Sequence, residues 1–269
     1  MMVRSRSEGL KVVFALTRDG GGDAKSLGDK GIKFDEQKGE ISPLEAFLSI
    51  LRVMEERSVV KEFKEAGKAV SCASILSRLE AGGRWAKLRV TDLIFQYAIV
   101  GSHGHGFLTV QEAKPGAAGL WDDWVVPFLD KTGFVQAWVY DVDYDRWQNV
   151  KDPIEYEIAG KDYAGLPMKS NGLPPPLEKL EIDISRNPGR WILREGYVEA
   201  VGSTMWVSEL FWRNVNRSKE CVLKSLQNVS LAKISSEIVK IESSADCCFD
   251  ESTRSEQDLL RNKLYGSDG

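Results

Sequence analysis

The sequence has few of the residues that most often carry chemistry. Its 269 residues include two histidines, His103 and His105, and four cysteines, at positions 72, 221, 247 and 248. The cysteines show no CxxC pair or metal-ligand spacing, and two are adjacent, so neither a disulfide framework nor a zinc site is expected and the thiols read as reduced. Cys72, among Ala69, Val70, Ala73 and Ile75, reads as a small buried hydrophobe, and Cys247-Cys248 as an exposed pair. Long apolar runs are missing too. The longest, such as Val12–Leu16 and Trp124–Leu129, fall far short of the ~20 residues that span a bilayer. The first eight residues lack the apolar stretch of a secretory signal, so the expected location is the cytoplasm, away from membranes. An excess of basic charge is also absent: 36 Lys and Arg face 40 Asp and Glu, for a net charge of −4. That balance disfavours whole-surface attraction to nucleic acid, although it allows a local basic patch.

What is present is material for a core. With 42% hydrophobic and 28% charged residues the chain reads as globular, and residues 1–269 read as a single α+β domain. Leu10–Leu16 is a β-branched run ending at the turn residues Asp19-Gly20-Gly21-Gly22, with a loop expected from there to about Glu40. Ser42-Pro43-Leu44-Glu45 combines a cap, a proline at the first helical position and a capping-box glutamate, and the apolar stripe Leu44, Phe47, Leu48, Leu51, Met54 follows. A second helix is expected over Val70–Leu79. Strands are expected at Leu93–Val100 and Phe107–Glu112, joined as a hairpin through the glycine-rich 101–106. Helical spacing returns over Leu120–Lys131, and Phe134–Tyr140 reads as a strand. The prolines of 166–176 predict a semi-rigid connection that is neither helix nor strand. Extended segments at Glu181–Ser185, Trp191–Leu193, Gly196–Val207 and Leu231–Ile241, a loose stretch over 243–254 and a terminal helix at Ser255–Tyr265 complete the reading. Early helices followed by several hairpins predict a mainly antiparallel sheet with helices packed on one side.

Candidate chemistry is sparse. Gly20–Gly31 holds Lys25-Ser26, but Ala24 stands where a phosphate loop needs glycine, so a surface loop is the better account. His103 and His105, two apart, would share one face of a strand and could hold a metal if remote carboxylates such as Asp141 and Asp143 supplied further ligands. That is the enzymatic alternative, a metal-dependent hydrolase. No nucleophile elbow, zincin motif or paired-carboxylate motif accompanies it, and no cofactor is implied. The densest feature is Asp141–Tyr163. Its seven acids and three bases equal the net charge of the whole chain, and Tyr144, Trp147, Tyr156 and Tyr163 are interleaved with them. Read as a continued strand, Asp141, Asp143 and Asp145 form one acidic ridge able to steer a basic protein, with aromatic residues as anchors. The candidate partner-binding residues are therefore Asp141, Asp143, Asp145, Trp147, Glu155 and Glu157, joined by Trp121, Asp122 and Asp123 of the Trp-Asp-Asp-Trp segment.

One resemblance bears on this. The run Trp138-Val139-Tyr140-Asp141-Val142-Asp143-Tyr144-Asp145-Arg146-Trp147-Gln148-Asn149, then Leu166-Pro167, Asn187-Pro188-Gly189-Arg190, Gly196–Gly202, Met205-Trp206 and Phe211-Trp212, resembles bacterial immunity proteins. These are the cognate inhibitors of polymorphic or type VI secretion toxins, particularly restriction-endonuclease-like nucleases. The resemblance covers the middle and later third of the chain. It implies a non-enzymatic function: binding a sibling toxin, with aromatic anchors buried against it and acids meeting its basic substrate groove.

Overall fold

The first apolar run becomes the middle of a sheet. In a computed structural model describing residues 6–17, 25–26, 32–33, 38–85, 87–226, 230–233, 237–243 and 248–266, the chain opens with β1 (Glu8–Ala15), β2 (Lys25–Ser26), β3 (Ile32–Lys33) and α1 (Pro43–Glu56). Next come β4 (Phe63–Glu65), β5 (Lys68–Val70), α2 (Cys72–Glu80), β6 (Lys87–Arg89), β7 (Leu93–Val100), β8 (His105–Glu112), α3 (Trp121–Leu129) and β9 (Phe134–Asp141). The second half holds α4 (Val142–Asn149), α5 (Pro153–Ile158), β10 (Met168–Ser170), β11 (Leu180–Ile182), β12 (Ile192–Arg194), β13 (Tyr197–Glu199) and β14 (Thr204–Val207). It ends with α6 (Glu209–Asn214), α7 (Lys219–Ser225), β15 (Ser230–Lys233), β16 (Val239–Glu242) and α8 (Arg254–Tyr265).

Ten strands form one antiparallel sheet in the order β15, β16, β14, β9, β1, β8, β7, β6, β4, β5. The α+β class and the hairpin of β7 with β8 are as expected, with Val100 opposite His105 across the glycine-rich turn. The helices, however, flank both faces instead of one. Strand alternation sends Leu10, Val12 and Phe14 of β1 to a core shared with Phe47, Ile50 and Met54 of α1, Ile75 of α2 and Trp124 and Phe128 of α3. Val13, together with Trp138 and Tyr140 of β9, points to the opposite core, built with Phe211 and Trp212 of α6, Val222 of α7 and Leu260 and Leu264 of α8. This explains β9. All eight of its residues are buried, because a central strand covered on both sides has no solvent face.

The second cover is partial. On β4, β6 and β7 the side opposite α1 carries Lys64, Lys87, Arg89 and Gln96, all exposed, with Lys64 directly across from Arg89. The local basic patch that the acidic composition allowed is this half-face.

Other expectations are revised. Met168–Ser170 within the proline-rich connection is a strand, paired with Leu180–Ile182. In the stretch expected to be loose, residues 244–247 lie outside the described residues, while Glu251–Thr253 is a 3₁₀ turn capped by Asp250. Cys248 is buried and Cys72 only half-buried, and Cys247 falls outside the described residues. Most of Gly20–Gly31 lies outside them as well.

Candidate partner-binding lobe

The acidic run does not continue as a strand. β9 ends at Asp141, whose side chain accepts from the Tyr144 N–H at 2.7 Å and so caps α4, with Asp143 and Asp145 in the first turn where the helix dipole favours them. The period-2 spacing that suggested a ridge is local helix-start chemistry, and it disperses the three acids. Asp141 is only 4% exposed. Burial raises its pKa, against the lowering influence of the Tyr144 amide and Arg6. Asp145 turns inward to Lys11 at 2.8 Å, and the Lys11 ammonium also lies over the rings of Tyr140 and Trp191. Asp141 and Asp145 are therefore structural groups, contrary to the expectation that they face a partner.

Of the Trp121-Asp122-Asp123 part of the expected site, Trp121 is structural. Trp121 is buried and donates its indole N–H to Glu8 at 2.6 Å. Asp122 pairs with Lys240 at 2.9 Å and Asp123 with Arg57 at 2.5 Å, so these two acids fasten α3 to its surroundings while their side chains, 47% and 42% exposed, stay at the surface outside the 141–183 segment. The histidines are not brought to the carboxylates either. His103 sits in a 3₁₀ turn, not a strand, and His105 is fully buried, donating its Nδ1–H to the His103 carbonyl at 2.9 Å. That bond leaves Nε2 as a buried acceptor without a partner, and burial lowers the His105 pKa. Among the described residues no three His, Cys, Asp or Glu side chains converge in a metal-holding group.

What remains of the expected surface belongs to a small lobe. Tyr156 of α5, Ile182 of β11 and Ile184 form its core with Trp147, Val150 and Tyr163, separate from the two cores of the sheet. Trp147 stacks edge-on with Tyr156 at 4.8 Å, with Arg146 and Lys161 over its indole, and donates to Asp143 at 3.0 Å. Glu155 pairs with Arg146 at 2.9 Å and Glu157 accepts from the Tyr163 hydroxyl at 2.8 Å. Asp143, Glu155 and Glu157 are all exposed, so these three and Trp147 stay together at one place on the surface layer of the lobe.

Composition alone did not reveal the apolar half of this lobe. Ile154 and Ile158, one turn apart on α5, are 58% and 76% exposed. Met168 and Leu180 are also exposed and share a face of the β10 and β11 hairpin with Ile182, the one member of that face buried against the small core. Every residue from Ala164 to Leu180 is exposed except Asn171. The available signal was a set of large apolar side chains on both sides of the prolines, Leu166, Met168, Leu173, Leu177 and Leu180, which a reading of that stretch as a mere connection passed over. Over 141–183, ten acids face five bases, for a net charge of −5 against −4 for the chain. No protein-family model, curated protein or solved structure matches the chain.

Proposed function

We propose that this chain is an immunity protein: it binds a cognate bacterial toxin, most consistently a nuclease with a basic substrate groove, and neutralises it by protein–protein interaction in the cytoplasm. The observation that carries the reading is the lobe of residues 141–183, where exposed large apolar side chains lie beside a net charge of −5. Exposed apolar groups supply contact energy once water is displaced, and surplus negative charge steers a basic partner. The docking residues are then Asp143, Trp147, Glu155 and Glu157 from the original set, with Ile154, Ile158, Met168 and Leu180 added. No helix of the described chain is long and apolar enough to cross a membrane. The hydrolase alternative has no comparable support, because among the described residues no group of three metal-holding side chains includes His103 and His105.

The test is co-expression with the product of the adjacent gene. The reading expects a stable complex and loss of that product's nuclease activity in a cleavage assay. An adjacent product that cleaves nucleic acid equally well with and without this protein would overturn it.

A further inference from the structure

The loop joining β10 to β11 carries the sequence Leu173-Pro174-Pro175-Pro176-Leu177 at its tip. Leu173 is 50% and Leu177 66% exposed. A tip this apolar at the end of an exposed hairpin would ordinarily be mobile, but its backbone is tied down from inside by one side chain. Asn171 donates its amide to the Leu177 carbonyl at 3.0 Å, and its Oδ1 accepts from the N–H groups of Leu173 and Lys179, each at 3.2 Å. The Leu177 N–H in turn donates to the Pro174 carbonyl at 2.9 Å.

The hydrogen-bond account of the tip is lopsided. Three prolines contribute no N–H, so the five residues have two backbone donors, those of Leu173 and Leu177, and both are satisfied within the loop. The carbonyls of Leu173, Pro175 and Pro176 accept nothing from the described residues. Such a tip can leave water for an apolar site without stranding a donor, and its free acceptors call for donors on whatever receives it.

We infer that the Leu173–Leu177 tip is the part of the lobe that enters the partner, filling an apolar cleft whose rim carries arginine or lysine donors. The donors of the rim are the complement of the three carbonyls that bond nothing within the loop, and their positive charge suits the surplus acid of α4 and α5 behind the hairpin, since Lys169 and Lys179 against Glu178 and Glu181 leave the hairpin itself without net charge. Because the loop is already held in shape, little conformational entropy remains to be lost on insertion. This inference rests on the toxin-binding reading and adds to it which element makes the central contact.

The experiment measures binding of the full chain to a catalytically inactivated product of the adjacent gene. The variant Leu173→Ser with Leu177→Ser should raise Kd by about tenfold or more, chiefly through faster dissociation, at an unchanged Tm. Asn171→Ala keeps the apolar side chains but unties the loop. It should weaken binding several-fold and speed hydrogen exchange at the Leu173 and Lys179 amides. The comparison variant Ile154→Ser with Ile158→Ser perturbs the lobe away from the tip. If the tip variant binds as tightly as the wild type while the α5 variant does not, the tip is overturned and the toxin-binding reading stands. If the wild type itself neither binds nor inhibits, the reading falls and the tip's role falls with it.

Discussion

Single side chains with two backbone clients show how closely this fold depends on individual polar groups. Glu112, buried at the end of β8, accepts from the Glu8 N–H at 3.0 Å and from the Ala118 N–H at 2.9 Å, joining the start of β1 to the loop before α3. Replacing it with alanine strands two buried donors. Glu112→Ala should destabilise the protein by about 2–4 kcal/mol in urea unfolding, and Glu112→Gln by less, since it keeps one acceptor but turns a donor toward the other amide. His105 supplies a pH-dependent case. Its folded pKa lies below the ordinary 6.5, because burial disfavours the imidazolium. As pH falls below 6.5 the unfolded chain takes up a proton that the folded chain refuses, so stability drops until the lowered folded value is reached. In His105→Phe the edge-to-face contact with Phe107 survives, and the Gly196 N–H still satisfies the His103 carbonyl. The expected result is a urea midpoint that changes less between pH 7.5 and 5.5 than in the wild type; an equal change would show that other groups dominate.

At the scale of elements, caps decide where strands stop and helices begin. The Ser42 and Glu45 capping box of α1 forms as the sequence indicated, and Glu45 also meets Lys131. Asp141 does the same work at α4, although its alternation with Val142 and Tyr144 looked like a strand. The two cases differ in what precedes them: Ser42 follows a loop, whereas Asp141 ends eight residues of β-structure, so only the accepted bond from Tyr144 reveals the change of element. The cost of burying Asp141 makes a test possible. With its folded pKa raised, the ionised native form is disfavoured, and stability rises as pH falls through that raised value. Asparagine caps equally well without charge, so Asp141→Asn should match or exceed the wild type at pH 7, with its advantage shrinking in acid. Asp141→Ala should lie about 1 kcal/mol below Asp141→Asn at either pH, as a missing cap does. Thermal melts of the three proteins across pH would separate cap from charge. Strands of three residues, such as β4, β6 and β10, could not be read from sequence, since three residues show no period and only pairing with a strand brought alongside defines them.

On the scale of the whole molecule, charge and cover are unevenly distributed. Residues 141–183 carry −5, which leaves +1 on everything else, and part of that positive charge lies on the uncovered side of β4 and β6. Bulk charge therefore describes neither region. Charge reversal at exposed lobe positions, Asp143→Lys with Glu157→Lys, should slow association with the proposed toxin partner by about tenfold at low salt and flatten its salt dependence, with a modest fall in Tm because Asp143 sits in the first turn of α4 and accepts from Trp147. Stopped-flow association rates across ionic strength check this, and rates equal to those of the wild type would place the docking surface elsewhere. Asp141 and Asp145 do not belong in that experiment, because one caps a helix from inside and the other holds Lys11.

The sequence by itself determined the class of structure, the long strands, the first helix with its cap, and the location of the surplus acid, because each of these is written in contiguous residues as period, cap chemistry or composition. It could not tell which acids were available. Asp145 meets Lys11 from 134 residues away, Asp122 meets Lys240 from 118, and Trp121 meets Glu8 from 113, so the partners that neutralise or bury these groups come together only when the sheet closes. Burial and pairing are properties of the assembled layers. Tertiary structure therefore turned Trp121, Asp141 and Asp145 inward, tied Asp122 and Asp123 to the surroundings of α3, kept the other four of the nine acidic and aromatic candidates on one lobe, and left the apolar side chains of α5 and the β10 and β11 hairpin exposed beside them.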